Sequence, residues 1–260
     1  MFNFFKKRRT KQTAPPKVEG ILCIPGSWKE RNDILHAIVE ATEGEYIFAG
    51  MVLMNTKTGA AVKMLIEPRD ETLPEKFRHL GMRSQVSEES LKQIDAYEQA
   101  VYLIHDTGSF DSAKILALAG RAILKAGGYG INVDTCNKIF EKDHWMDLTA
   151  DASLYNLYEM FVHDAIQDEQ GNLFSCGMQH LGLKDTIIYG LPAKTAHSTL
   201  KIWGSYQVIE QPVLKIGETF SIAPDAPRFR ILKEKNPVYQ QDELFYNPFG
   251  MWKLKLINPS

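Results

Sequence analysis

Apolar runs and their spacing divide the chain into short strands and amphipathic helices. Gly20 to Ile24 is a compact apolar run closed by Pro25-Gly26, which reads as a buried strand and a turn. Ser27 and Glu30 have capping-box spacing, and Ile34, Leu35, Ile38 and Val39 recur at helical intervals before Gly44. Tyr46 to Asn55 and Ala60 to Glu67 read as strands joined by a hairpin at Thr56–Gly59. Pro68 to Ser84 is polar and predicts a loop with a helical turn. Ser87-Glu88-Glu89 opens a helix to Glu98, its acids placed where the helix dipole favours them. Gln99 to His105 is a strongly apolar strand. The first hundred residues thus predict β-α-β-β-α-β, the ferredoxin-like order.

A helix follows from about Ser109 to Ala126, with Ala113, Leu116, Ala117, Gly120, Ile123 and Leu124 on one face and Gly127-Gly128 at its end. Tyr129 to Val133 predicts a short strand, and residues 134–153 a linking region with a helical turn around Trp145. Leu154 to Gln167 reads as helix and turn into strand, Asp168 to Asn172 as a turn, and Leu173 to Cys176 as the return strand. Thr186 to Tyr189 is another short strand, and Thr195 to Val208 a helix with Ala196, Leu200, Trp203 and Gln207 on one side. Beyond Pro212, residues 219–222, 228–235 and 251–257 are strand-like between prolines that forbid helix. The expectation is an α+β protein of two packed α/β units, with antiparallel or mixed sheets covered by helices. Its parts are a flexible tail over 1–18, a ferredoxin-like unit over 19–150 and a C-terminal unit over 151–260.

Composition narrows the function classes. The 260 residues are 44% hydrophobic and 24% charged, which excludes disorder over the whole chain. Residues 1–18 hold six basic side chains and no acidic one, so the other 242 carry a formal net charge of −8 out of −2 overall. Nucleic acid is therefore not an expected partner of the body. The head Met1 to Phe5 beside Lys6, Lys7, Arg8 and Arg9 suits weak contact with an anionic membrane, at ~1 kcal/mol per basic residue. The alternative is a solvated tail that binds nothing. Cys23, Cys136 and Cys176 form no CxxC pair, and no apolar run approaches a membrane span or a secretory h-region. A reducing, cytoplasmic setting is the expectation.

Cys176-Gly177-Met178-Gln179-His180-Leu181-Gly182-Leu183-Lys184-Asp185 is the most distinctive segment. One helical turn would bring Cys176 and His180 together, a thiolate with an activating imidazole, as a cysteine-dependent hydrolase or transferase requires. Two ligands do not close a metal site. The structural alternative is a buried cysteine and a junction that needs two glycines. His105-Asp106-Thr107-Gly108-Ser109 lies where a strand hands over to a helix, a place for an anion. Asp106 and Asp111 oppose one, and a helix cap at Ser109 or Asp111 explains the segment better. Gly127-Gly128 reads as a helix end. His163-Asp164 sits on a strand, where neighbours point to opposite faces, and makes a poor dyad. No HExxH, GxSxG or phosphate-binding loop is present, and neither a cofactor nor a metal is expected.

The stretch from Ser175-Cys176-Gly177-Met178 to Gly182-Leu183-Lys184-Asp185 resembles an uncharacterised bacterial family, a domain of unknown function with a C-terminal Cys-Gly-Met, Leu-Gly-Leu and Asp signature. The likeness spans about Gly20 to Pro212. It implies no catalytic residue. It implies a bacterial cytoplasmic protein with an adaptor or immunity-like role, and so a protein partner. The residues expected to matter are Cys176, Gly177, Met178, Gly182, Asp185, His105 and Asp106, with Cys176 and His180 as the catalytic alternative.

Overall fold

The computed structural model of the chain describes residues 16–84, 86–235 and 238–257. The membrane-contact cluster Lys6, Lys7, Arg8 and Arg9 lies outside them. In chain order the elements are β1 (Val18–Gly26), α1 (Arg31–Ala41), β2 (Tyr46–Ala49), β3 (Val52–Asn55), β4 (Ala61–Pro68), α2 (Thr72–Ser84), α3 (Glu88–Asp95), β5 (Gln99–Thr107), α4 (Phe110–Lys125), β6 (Gly130–Val133) and β7 (Lys138–Glu141). They continue with α5 (Lys142–Asp151), α6 (Leu154–Phe161), β8 (His163–Gln167), β9 (Leu173–Cys176), a 3-10 turn (Met178–Leu181), β10 (Asp185–Ile188), α7 (Ala193–Glu210), β11 (Thr219–Phe220), β12 (Phe229–Lys233) and β13 (Met251–Leu256). No helix among the described residues is long and apolar enough to cross a membrane.

The α+β class read from the sequence is the class observed. The first sheet runs β2-β3-β4-β5-β1-β6-β7, with every neighbouring pair antiparallel. The second runs β11-β12-β13-β10-β9-β8 and is mixed, because β10 and β13 are parallel. The ferredoxin-like order would place β1 between β4 and β5. Here β5 lies between β4 and β1 instead, and the outer side of β1 is taken by β6. The apolar strand β5 therefore occupies the middle of the sheet, where both its edges are paired.

Local departures from the expected elements have physical causes. Gly50, at φ 63°, turns the chain within the run Tyr46–Asn55 and makes it the hairpin β2–β3. The polar stretch expected as loop is helix α2, which buries Leu73 and Phe77 one turn apart. The expected linking region contains β7 and α5, anchored by fully buried Trp145. The capping box at α1 is formed one turn later than expected, by Glu30 with Asp33 rather than by Ser27 with Glu30. Ser109 caps α4 by accepting from the Ser112 amide, as anticipated.

The largest core lies between the first sheet, the helices on it and the 3-10 turn. It joins Leu22, Val101 and Leu103 of the first sheet to Leu116 and Ile123 of α4, Phe161 of α6, and Met178 and Leu181 of the 3-10 turn. A second core lies under α7, where Leu200 and Trp203 meet Phe229, Ile231 and Leu254.

Candidate functional site

The distinctive motif forms an interlock between the two sheets. Cys176 ends β9 with 1% of its surface exposed, packed with Phe174, Ile187 and Met251. Gly177 has φ 114°, and a Cβ there would stand 1.9 Å from the Phe161 carbonyl oxygen. Gly182 has φ 75°, and its Cβ would stand 2.5 Å from the Gly108 carbonyl oxygen. Both glycines are therefore demanded by conformation and by close approach of backbone. The Gly108 amide donates to the His180 carbonyl at 2.9 Å, tying the start of α4 to the 3-10 turn.

The buried polar groups of this seam are mostly satisfied within it. Asp185 accepts from the Met178 amide at 3.2 Å and from Asn247 Nδ2 at 2.8 Å. Burial raises its pKa to about 7, against the lowering effect of Asn247, Met178 and Ser175. His180 Nδ1 lies 2.9 Å from Thr107 Oγ1, and burial lowers its pKa to about 4 while the Thr135 backbone opposes. Burial first, and then Asp185 and Cys136, push the Cys176 thiol well above its ordinary value. Cys176 and His180 share no hydrogen bond; the thiol belongs to the second sheet and the imidazole faces β1 and β5. The hydrogen-bonded nucleophile–base pair expected from their spacing is thus not formed: Cys176 packs with Phe174, Ile187 and Met251, and His180 takes Thr107 as its partner. His105 is half-buried near the end of β5, its pKa lowered by burial against Asp106 and the Ala61 backbone. Asp106 is exposed and pairs with Lys17 at 3.1 Å, so neither residue joins the motif.

A second assembly lies in the open. Strand β8 is the edge of the second sheet, and its residues His163 to Gln167 form one wall of a groove of about 970 Å³. Asn137 and Lys138 at the start of β7 and Ala193, Lys194 and His197 of α7 line the rest, with Leu80 and Leu173. The register of β8 on β9 slips between His163 and Ile166, a bulge of the kind that re-aims side chains. Asp164, in the slipped segment, accepts from Tyr158 Oη at 3.0 Å and lies 3.2 Å from His197 Nε2. Gly204 of α7 makes room for this, since a Cβ there would stand 2.5 Å from Tyr158 Oη. Burial, and then the Asp164 charge, hold the Tyr158 phenol well above its ordinary pKa, so it remains a donor.

Lys138 donates to the Val162 carbonyl at 2.9 Å and also to the Glu159 carbonyl, tying β7 to the end of α6. Burial lowers its pKa against the charges of Cys136, Glu159 and Asp164. Glu159 is held below the usual carboxylate range: burial opposes this, but Tyr155, Lys138 and Lys201 prevail, the last at 3.1 Å. Among the described residues no group of three or more His, Cys, Asp or Glu is placed to hold a metal ion.

No protein-family model, curated protein or solved structure matches this chain. Lys138 and His197 were not legible as site residues, because β7, β8 and α7 bring together positions up to 59 apart. Of the groove residues only His163-Asp164 stood out in the sequence, and the structure places Asp164 against His197.

Proposed function

We propose that this chain is a protein-binding module that takes an extended, acidic segment of a partner along β8. The observation that carries the reading is the groove wall itself, five consecutive residues of an edge strand beside a cleft. An edge strand keeps a row of unpaired backbone groups that an added strand satisfies, while pockets beside it choose the side chains. Charge selects the partner. Lys194 lines the groove, and the first turn of α7 adds the positive end of a helix dipole, while Lys138 is held by the Glu159 and Val162 carbonyls and Asp164 faces His197. The surrounding body is acidic, so an acidic segment is repelled elsewhere and guided here.

Binding fits the groove better than catalysis. The imidazole of His197 is oriented by Asp164, but no serine, threonine or cysteine among the described residues is hydrogen-bonded to it. Nucleophilic catalysis needs that partner. An adaptor or immunity-like role in the bacterial cytoplasm, as the resemblance implies, would use such a groove.

Peptide display against the whole chain tests this. Selection should enrich extended acidic peptides, and Lys194→Glu or Ala165→Pro should abolish their binding without changing the circular dichroism spectrum. The proline removes a backbone donor from the edge. Enrichment of basic or helical peptides, or binding that survives both substitutions, would overturn the reading.

A further inference from the structure

A smaller cavity of about 310 Å³ shares no lining residue with the β8 groove. Its walls come from Phe110 at the start of α4, Gly182 to Lys184 after the 3-10 turn, Gln207 and Gln211 of α7 and its end, Leu214, Phe249 and Trp252. Ligand sites are usually apolar clefts with a few placed polar groups, and this volume is at the small end of their range of roughly 300–1,000 Å³. Two polar side chains here, Gln207 and Lys184, lack a hydrogen-bond or ion-pair partner for a polar end among the described residues.

Gln207 is 3% exposed, and its Nε2 has no hydrogen-bond partner among the described residues. A buried amide left unsatisfied costs about 1–3 kcal/mol, so its retention calls for a reason. Lys184 sits with its ammonium 4.0 Å from the Trp252 ring centroid. It has no ion-pair partner among the described residues. The charge it feels is that of Lys233, another cation. Burial, and then Lys233, lower its pKa. An anion beside Lys184 would relieve that repulsion, and an acceptor would satisfy Gln207.

We propose that this cavity binds a small aromatic carboxylate, its ring against Phe110, Leu214, Phe249 and Trp252 and its carboxylate taken by Lys184 and Gln207. The cavity is separate from the proposed peptide groove, with which it shares no lining residue. The aromatic ring supplies most of the buried apolar area and the carboxylate the orientation. A cation already seated over Trp252 needs little reorganisation to accept it.

Titration of the whole chain with phenylacetate, read by tryptophan fluorescence, is the test. Phenylacetate should saturate the signal, bind about ten-fold tighter than neutral phenylacetamide, and lose its signal in Trp252→Phe. Lys184→Gln should remove the preference for the acid, and Gln207→Leu should weaken the acid several-fold. Leu214→Trp, which fills the cavity, should abolish binding. The acid-against-amide comparison uses the unaltered protein, so it stands even if a variant fails to fold. Absence of saturation up to about 10 mM would overturn the proposal, a limit at which even weak fragments register. So would equal affinity for acid and amide, or binding that persists in Leu214→Trp.

Discussion

The interlock and the β8 groove each hold a histidine and an aspartate, and they treat them in opposite ways. At the interlock, His180 and Asp185 are sealed in the core, and burial drives both toward their neutral forms. At the groove, His197 is half-exposed and faces Asp164 directly, with Tyr158 fixing the carboxylate from below. The residue types are the same; access to water and the presence of a partner decide what each pair does. The conspicuous sequence motif therefore marks a packing requirement, while the open chemistry lies where the sequence is plain.

The sharpest way to break this contrast is at Gly177. Gly177→Ala forces a side chain into a left-handed backbone and against the Phe161 carbonyl. Destabilisation by more than about 4 kcal/mol, or no folding at all, is the expected outcome in urea unfolding. A loss below about 1 kcal/mol would deny the interlock its structural role.

The pH dependence of stability comes next. His180 in the folded protein refuses a proton that the unfolded chain accepts below about 6.5, its folded value being about 4. Its contribution therefore falls as pH drops from about 6.5 to 4, by about 3 kcal/mol. Asp185 does the reverse. Its folded value of about 7 lies above the ordinary 3.8, so its contribution is lost as pH rises between them, by about 4 kcal/mol. The two largely offset each other in the intact protein. His180→Gln should leave stability that declines from about pH 4 to 7, and Asp185→Asn stability that climbs from about pH 4 to 6.5. Denaturation midpoints across pH check both slopes. Parallel curves for the two variants would refute the assignment.

Effects at the groove should be smaller. Tyr158→Phe removes the hydrogen bond to Asp164 while keeping the ring, and should cost about 1–2 kcal/mol by chemical denaturation. Lys194→Glu should change stability by no more than about 0.5 kcal/mol while abolishing capture of acidic peptides. A large loss of stability there would mean that the groove, too, is scaffold.

Much of the architecture was legible because periodicity and turn chemistry agree over it. The helix ending at Gly127-Gly128, the apolar strand through Val101 and Leu103, and the two-glycine junction at Gly177 and Gly182 are all where the pattern places them. Helix α2 was obscured because its buried stripe is narrow beside Lys76, Arg78 and His79. The strand order was hidden for a different reason: β1 pairs with β5 across some eighty residues, and no local pattern specifies which edge of a strand is taken. The candidate site suffered most. Its side chains are ordinary in sequence and become a constellation only when β7, β8 and α7 meet.

The contact of Gly182 with Gly108 has one more consequence. It places main chain against main chain, with no side chain between to yield. Loosening either sheet withdraws support from the other, so the molecule should come apart in a single cooperative step. Two fragments divided between β7 and α6 should regain a native fold only when mixed.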